Sequence, residues 1–268
     1  MKIREIKTKS VVVKSNLPDT DYVINPYIGC THKCIYCYAS FMKRFTNHHE
    51  RWGDFIDIKI NAVDTLRNTE KLRGKKILMS SVTDPYNPLE KKYKLTRRIL
   101  EALIPVQPKL EILTKSRIAS RDIDLLKQYK DVTVGISLST LDNEISKELE
   151  PYASPPDVRI DTLRKCNEAG LKTYVFISPI LPFITNIEEI LDKTKFVDFF
   201  MFENLNIRPT NRKEIFDFIK ENRPNLVDKY KEIYDCKNNY WNNLEKQIKE
   251  LCKERGKEAR IYFHHGGF

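Results

Sequence analysis

No stretch of this chain stays apolar for long enough to cross a membrane, and Met1–Ser10 (MKIREIKTKS) lacks the apolar core of a signal peptide. Those two absences exclude a helical membrane protein and point to the cytoplasm. Internal repeats, low-complexity tracts and Gly/Ser linkers are missing as well, which excludes a solenoid or a string of flexibly joined modules. Cysteine is scarce: of six, three are clustered and Cys166, Cys236 and Cys252 are scattered, a pattern unlike a secreted disulfide framework. The scattered three read as small buried hydrophobes.

What is present is charge. Forty-seven Lys and Arg stand against 37 Asp and Glu, a formal net charge of +10. That balance favours anionic partners such as nucleic acid, nucleotides or acidic peptides without choosing among them. No long basic block appears, so part of the excess belongs to solvated helix faces.

At 268 residues the chain fits one large domain. Short β-branched or aromatic runs recur, most followed by a helical pattern, which predicts an α/β fold with a parallel sheet. The strands are read at Tyr22–Pro26, Lys76–Ser81, Leu110–Leu113, Val132–Leu138, Thr173–Ser178 and Phe196–Phe202. The helices fall at Ala62–Leu72, Leu95–Ile104, Ala119–Tyr129, Asp157–Ala169, Ile187–Lys193 and Lys213–Lys220, with Gly74 and Gly170 at helix C-termini. Asp54–Ile60 reads as an extra extended run. Beyond Pro209, Leu226–Glu254 carries an apolar stripe at helical spacing, and Ala259–Phe263 reads as a short strand. The expected division is an N-terminal segment (1–21), a barrel (22–222), and a C-terminal helix and tail packed on it (223–268).

The chemistry is concentrated in Asn25–Phe41 (NPYIGCTHKCIYCYASF). Cys30, Cys34 and Cys37 stand at C-x3-C-x2-C spacing, with Tyr36 directly before the last. Thiolates are soft ligands that favour iron-sulfur clusters or zinc, and four of them close a site. Three leave one iron of a four-iron cluster open to a substrate or cofactor. A structural zinc would need a fourth ligand, and His32 inside the loop is the nearest candidate.

The pattern C-x3-C-x-aromatic-C resembles the signature of the radical S-adenosylmethionine (SAM) enzymes. That resemblance implies a partial (β/α)6 TIM-type barrel with a C-terminal helical extension, and a [4Fe-4S] cluster on Cys30, Cys34 and Cys37. It also implies that SAM binds the open iron, and that a one-electron donor of flavodoxin or ferredoxin type drives its cleavage to a hydrogen-abstracting 5'-deoxyadenosyl radical. Chemistry in such barrels collects at the C-terminal strand ends.

The second strand end, Thr83-Asp84-Pro85-Tyr86-Asn87-Pro88-Leu89-Glu90, and the segments Leu149-Glu150-Pro151 and Ser154–Arg159 are similar to the spore photoproduct lyase-like branch. By that likeness Ser81 and Thr83 line the SAM methionyl site with Asp84 nearby, Ser137 or Ser139 and Arg159 face SAM, and Tyr36 packs near adenine. Arg159 is the expected clamp, since a guanidinium holds a carboxylate through two parallel hydrogen bonds. Lys115, at the third strand end, offers an ammonium to the same carboxylate or to a phosphate. Without the resemblance, Asp84 is a turn cap and Lys115 a solvated side chain.

In spore photoproduct lyase a cysteine beside the second-strand motif returns hydrogen to the product; here that place holds Ser81, whose O–H bond is too strong for the role. The scaffold likeness therefore does not carry over spore thymine dimer repair. Opening stretch and length are also similar to the class called radical SAM mobile pair protein B, which implies a second radical SAM protein as partner. The substrate expected is nucleic acid or a nucleotide. A peptide modified together with a partner enzyme, or a non-catalytic nucleic-acid-binding module with a structural metal, are the alternatives. His48 and His49, and His264 and His265 near the C-terminus, are the remaining candidates for the site's border.

Overall fold

The computed structural model describes residues 1–263. The strands are β1 (Lys2–Ile6), β2 (Val12–Lys14), β3 (Tyr22–Ile24), β4 (Tyr27–Ile28), β5 (Phe55–Lys59), β6 (Lys76–Met79), β7 (Lys109–Thr114), β8 (Val132–Leu138), β9 (Lys172–Ile180), β10 (Phe199–Asn204) and β11 (Glu258–Ile261). The helices are α1 (Glu90–Tyr93), α2 (Leu95–Leu103), α3 (Ile123–Leu126), α4 (Asn143–Leu149), α5 (Pro156–Glu168), α6 (Ile187–Lys193), α7 (Arg212–Asn222), α8 (Val227–Asp235) and α9 (Tyr240–Glu254).

The main sheet runs β11-β10-β9-β8-β7-β6-β3-β2, and every neighbouring pair except β2/β3 is parallel. All six strands read from the sequence lie in it in chain order, which is the succession of a partial (β/α) barrel. The run at Ala259–Phe263 becomes β11, a further parallel strand on β10. Asp54–Ile60 becomes β5, which pairs with β1 and β4 in a separate three-stranded sheet.

β8 shows how the pleat sorts its side chains. Val132, Val134, Ile136 and Leu138 join the main apolar core with Leu110 and Ile112 of β7 and Val175 and Ile177 of β9. On the opposite face, a side chain at Gly135 would overlap the Tyr174 ring. That ring stacks on Phe199 at 4.9 Å, and its hydroxyl donates to Glu111 Oε1 at 2.7 Å, so this level of the interior is filled. Ser137, two residues further along that face, is carried toward the mouth. Each fully buried Leu or Ile on the other face contributes roughly 1.5–3 kcal/mol.

Three helical expectations change. Ala62–Leu72 is not one helix but two short 3-10 turns, Val63–Thr65 and Thr69–Leu72, separated by Asn68 in the left-handed region at φ +52°. Ala119–Tyr129 divides between a 3-10 stretch (Arg117–Asp122) and α3. Leu226–Glu254 breaks after Asp235: Cys236 is extended, and the Asn238 amide donates to the carbonyls of Glu232, Ile233 and Cys236, ending α8. Cys236 is exposed, contrary to its reading as a buried hydrophobe, whereas Cys166 and Cys252 are buried.

Gly74 (φ +65°) and Gly170 (φ +83°) sit where a chain leaves a helical turn for β6 and β9. His264 and His265 lie outside the described residues. Among the described residues no helix is long and apolar enough to cross a membrane.

Candidate functional site

β3 ends at Ile24 and the chain passes through β4 into the cysteine loop, so Cys30, Cys34 and Cys37 follow the first barrel strand. Gly29 sets the entry. At φ +89° it lies where L side chains are disfavoured, and a Cβ there would stand 2.5 Å from the Phe55 carbonyl oxygen. The Gly29 carbonyl in turn accepts from Thr83 Oγ1 at 2.6 Å, tying the loop to the end of β6. Gly29→Ala is expected to cost more than about 2 kcal/mol, adding left-handed strain to overlap with backbone, and so to lower Tm by several degrees in thermal denaturation.

The three thiols are close enough that Cys30 is pushed up in pKa by Cys37, and Cys34 by both Cys30 and Cys37, although burial is the larger cause for all three. Cys30 is raised to about 12, by burial first and by the Asp84 charge second. N–H groups oppose this: the amides of His32 and Asp84 at Cys30, and those of Ala39 and Ser40 with the Trp52 indole at Cys37. The Trp52 Nε1–Sγ distance is 3.2 Å. The sulfurs thus sit in a pocket that resists charge unless a cation arrives, with N–H donors already aimed at the thiolate form.

Among the described residues no three His, Cys, Asp or Glu side chains converge to hold a single metal ion. His32, the candidate fourth zinc ligand, turns Nδ1 toward Asp84 Oδ2 at 3.4 Å, and burial drives its pKa down to about 4. Three thiols on one loop, with no single-ion site completed by His, Asp or Glu among the described residues, suit a polynuclear cluster in which each sulfur takes its own iron. Thr31, next to Cys30, is 4% exposed and its hydroxyl has no hydrogen-bond partner, as a group facing a bound cofactor would.

The other candidate residues gather around this loop. Lys115, leaving β7, holds its ammonium 5.7 Å from the centre of the Tyr36 ring, and its charge lowers the pKa of Cys34, Cys37 and His32. Asp84 is turned inward: Oδ1 accepts from the Tyr86 amide at 2.8 Å and Thr114 Oγ1 at 2.7 Å, and Oδ2 from the Lys115 amide at 2.8 Å. It joins the ends of β6 and β7, so its role here is close to the turn cap that the sequence also allowed. Ser81 donates its amide to Asn25 Oδ1 at 3.1 Å, and its carbonyl accepts from the Tyr38 hydroxyl.

Arg159 is not poised for an incoming carboxylate. It is 1% exposed; Nε donates to the Ser154 carbonyl at 2.5 Å, one terminal nitrogen to the Ser137 carbonyl at 2.9 Å, and the other to Glu150 Oε2. The Tyr36 hydroxyl donates to the second Glu150 oxygen, with Ser139 Oγ 3.3 Å from the same hydroxyl. Ser137 and Ser139 both donate to the Ser178 carbonyl, at 2.9 and 3.1 Å. Burial pushes the Glu150 carboxyl up in pKa and the Arg159 guanidinium opposes it. Tyr36 is therefore fixed from its polar end by an internal ion pair. The Ile35 amide donates to the Leu149 carbonyl at 3.0 Å and the Tyr152 amide to the His32 carbonyl at 3.3 Å, so the α4–α5 connection pins the cysteine loop.

Sequence reasoning passed over Glu150 and Trp52 as individual functional residues. Tryptophan occurs twice in the chain, once fifteen positions beyond Cys37, and that placement was the available clue. His48 borders nothing open: its side chain is enclosed, stacked on Phe55 at 3.8 Å and bonded to Asp57 at 2.9 Å and Glu50 at 3.0 Å.

The family described as the radical SAM superfamily matches residues 24–197. An uncharacterized protein of Methanocaldococcus jannaschii is 40% identical over 84% of this chain and 85% of its own length. Among solved structures, spore photoproduct lyase complexed with dinucleoside spore photoproduct superposes with a TM-score of 0.68 at 17% identity, covering 98% of this chain and 82% of that one. Streptococcus suis SuiB bound to S-adenosylmethionine gives a TM-score of 0.57 at 18% identity, over 90% of this chain and 49% of that one. At such identities the likeness is one of fold.

Proposed function

Because this chain belongs to the radical SAM superfamily, we propose that Cys30, Cys34 and Cys37 hold a [4Fe-4S] cluster and that SAM binds beside it at the mouth of the barrel. The family implies an iron-sulfur cluster and SAM; when bound, they supply one-electron cleavage of the sulfonium and hydrogen abstraction. The observation that carries the assignment is the single loop of three mutually close thiols, met by N–H donors and by the Lys115 ammonium at the next strand end but one.

This chain's own residues then do four things. Lys115 offers a cation to the methionyl carboxylate, a task Arg159 cannot share while Glu150 occupies it. Thr83 and Asp84 hold the loop and the strand ends in register. Tyr36, locked by Glu150, presents a fixed ring to the Lys115 ammonium. Ser139 closes the inner wall against the Ser178 carbonyl.

A nucleic acid or nucleotide is the substrate class we favour. The net charge of +10 supports it, as does the fold shared with spore photoproduct lyase, whose structure holds a dinucleoside spore photoproduct.

The test is anaerobic reconstitution with iron and sulfide, then incubation with SAM and dithionite. Release of 5'-deoxyadenosine supports the reading; stoichiometric zinc without SAM cleavage sinks it. Lys115→Met is expected to raise the KM for SAM roughly tenfold to a hundredfold, the worth of one charge-assisted hydrogen bond, with cluster content unchanged. Binding to single-stranded DNA or RNA should weaken linearly in log–log terms with added salt. No binding at low salt would turn the substrate reading to a peptide.

A further inference from the structure

We propose that the surface beside Cys37, formed by Trp52 and the segment Tyr38–Phe45, is the docking site for a small acidic one-electron carrier protein, with Trp52 the bonded path to the cluster. The inference rests on the cluster assignment above. Its first support is Trp52: the indole is partly exposed, yet its N–H donates to Cys37 Sγ at 3.2 Å. One side chain thus spans solvent and a ligand sulfur.

The indole is held there. Phe55 meets it edge-on at 5.6 Å, and Phe55 lies flat on His48, itself bonded to Asp57 and Glu50. Trp52 enters from the connection into β5, in the outer three-stranded sheet, rather than from a barrel strand end. Lys115, Ser137 and Ser139, which face the mouth, come from β7 and β8 and the turns that leave them.

The surroundings fit a protein partner of negative charge. A 3-10 segment, Tyr38–Phe45, leaves Cys37 directly and exposes Phe45 (66%) and Tyr38 (48%). Arg44 lies over Phe45 at 4.7 Å and over Phe41 at 5.6 Å, and no carboxylate among the described residues pairs with it. Lys43 Nζ donates to the His49 carbonyl at 3.0 Å, joining this segment to the loop that carries Trp52, where His49 and Arg51 are exposed. The nearby carboxylates are engaged: Glu50 by Lys2 and His48, Asp54 by Lys33, Glu214 by Arg51. An apolar centre with a cationic rim is the complement of an acidic protein surface, and steering of this kind acts mainly on the association rate.

The step is a transfer of one electron. The carrier is oxidised by one electron, the cluster is reduced by one, and no bond is made or broken. An N–H aimed at a ligand sulfur favours the more negative state and so holds the reduction potential up.

The experiment uses the full, anaerobically reconstituted chain with Trp52→Phe and Arg44→Glu. Potentials come from EPR-monitored titration with dithionite, and rates from bleaching of the visible absorbance by photoreduced flavodoxin. Trp52→Phe keeps the ring against Phe55 but loses the donor; it should load as much iron as wild type and titrate at a more negative potential. Arg44→Glu should keep the wild-type potential and dithionite reduction, while slowing reduction by flavodoxin about tenfold at low salt, a difference that closes at high salt.

An unshifted potential in Trp52→Phe, or a wild-type flavodoxin rate in Arg44→Glu, overturns the inference, as does loss of oligonucleotide binding with electron transfer intact. A wild-type chain that takes up no cluster overturns the functional reading and this inference with it. A loaded wild type with unchanged variants overturns this inference alone.

Discussion

Replacing Cys34 by alanine, or Cys30 or Cys37 in the same way, is expected to abolish the visible absorbance of the reconstituted cluster and to take 5'-deoxyadenosine formation to background, while the apoprotein stays folded. Three ligands are the minimum that holds a four-iron cluster with one iron open, so loss of one is not compensated by the others. Cys34 is partly buried in a loop whose fixed points are backbone and side-chain bonds of other residues: Thr83 to Gly29, Ile35 to Leu149, Tyr152 to His32. Its removal therefore breaks no tertiary hydrogen bond.

Cys166 provides the converse. It is wholly buried in the main core, so Cys166→Ala should cost on the order of 1 kcal/mol in denaturant unfolding and leave the cluster content unchanged. Iron quantitation beside far-UV circular dichroism separates the two outcomes. A Cys34→Ala protein that still binds cluster and cleaves SAM would remove the basis of the functional reading.

The parts of this molecule that a sequence spells out locally are the parts read correctly from it. Val132–Leu138 and Ile187–Lys193 were read to the residue, because β-branched alternation and the apolar spacing of a short helix are contained in the window itself. The C-x3-C-x2-C spacing of the thiols is likewise contained in one window. Ala62–Leu72 failed because Asn68 adopts the left-handed region that its amide side chain tolerates, cutting a pattern whose apolar spacing looked helical. Leu226–Glu254 failed at Asn238, which satisfies carbonyls at the end of α8 and so offers the chain a stop. The apolar stripe runs through that stop unaltered, which is why periodicity alone did not reveal it.

The wiring of the candidate site was not legible. Lys115 lies near the thiols, while the guanidinium of Arg159, expected as a clamp for an external carboxylate, is held by Glu150, nine positions away in sequence. A carboxylate at 3% exposure cannot be left without a counter-charge, and a guanidinium within reach is claimed before any ligand arrives. The third member, Tyr36, is 114 residues from Glu150 along the chain. No sequence window contains both.

That pairing makes Arg159→Met the substitution with the largest expected effect on stability. It leaves Glu150 buried with only the Tyr36 hydroxyl and Ser139 near its oxygens, and removing one partner of a buried pair typically costs about 3–5 kcal/mol. For a chain of this size that corresponds to a Tm lower by roughly 10 °C.

The sign of the pH dependence follows from the surviving carboxyl. Burial already raises the Glu150 pKa, and without Arg159 nothing cationic opposes that rise. The folded state then holds its proton to higher pH than the unfolded chain does, so the stability tied to the neutral form is present below the ordinary glutamate range and is lost as pH rises through the raised value. The defect should therefore be smaller near pH 5 than near pH 8 in thermal or urea unfolding. Adding Glu150→Gln should restore part of the loss and flatten the pH dependence, since a neutral amide needs no counter-charge. If Arg159→Met were as stable as wild type at pH 8, Glu150 would not depend on the ion pair, and Tyr36 would owe its position beside Lys115 to the packing of the cysteine loop alone.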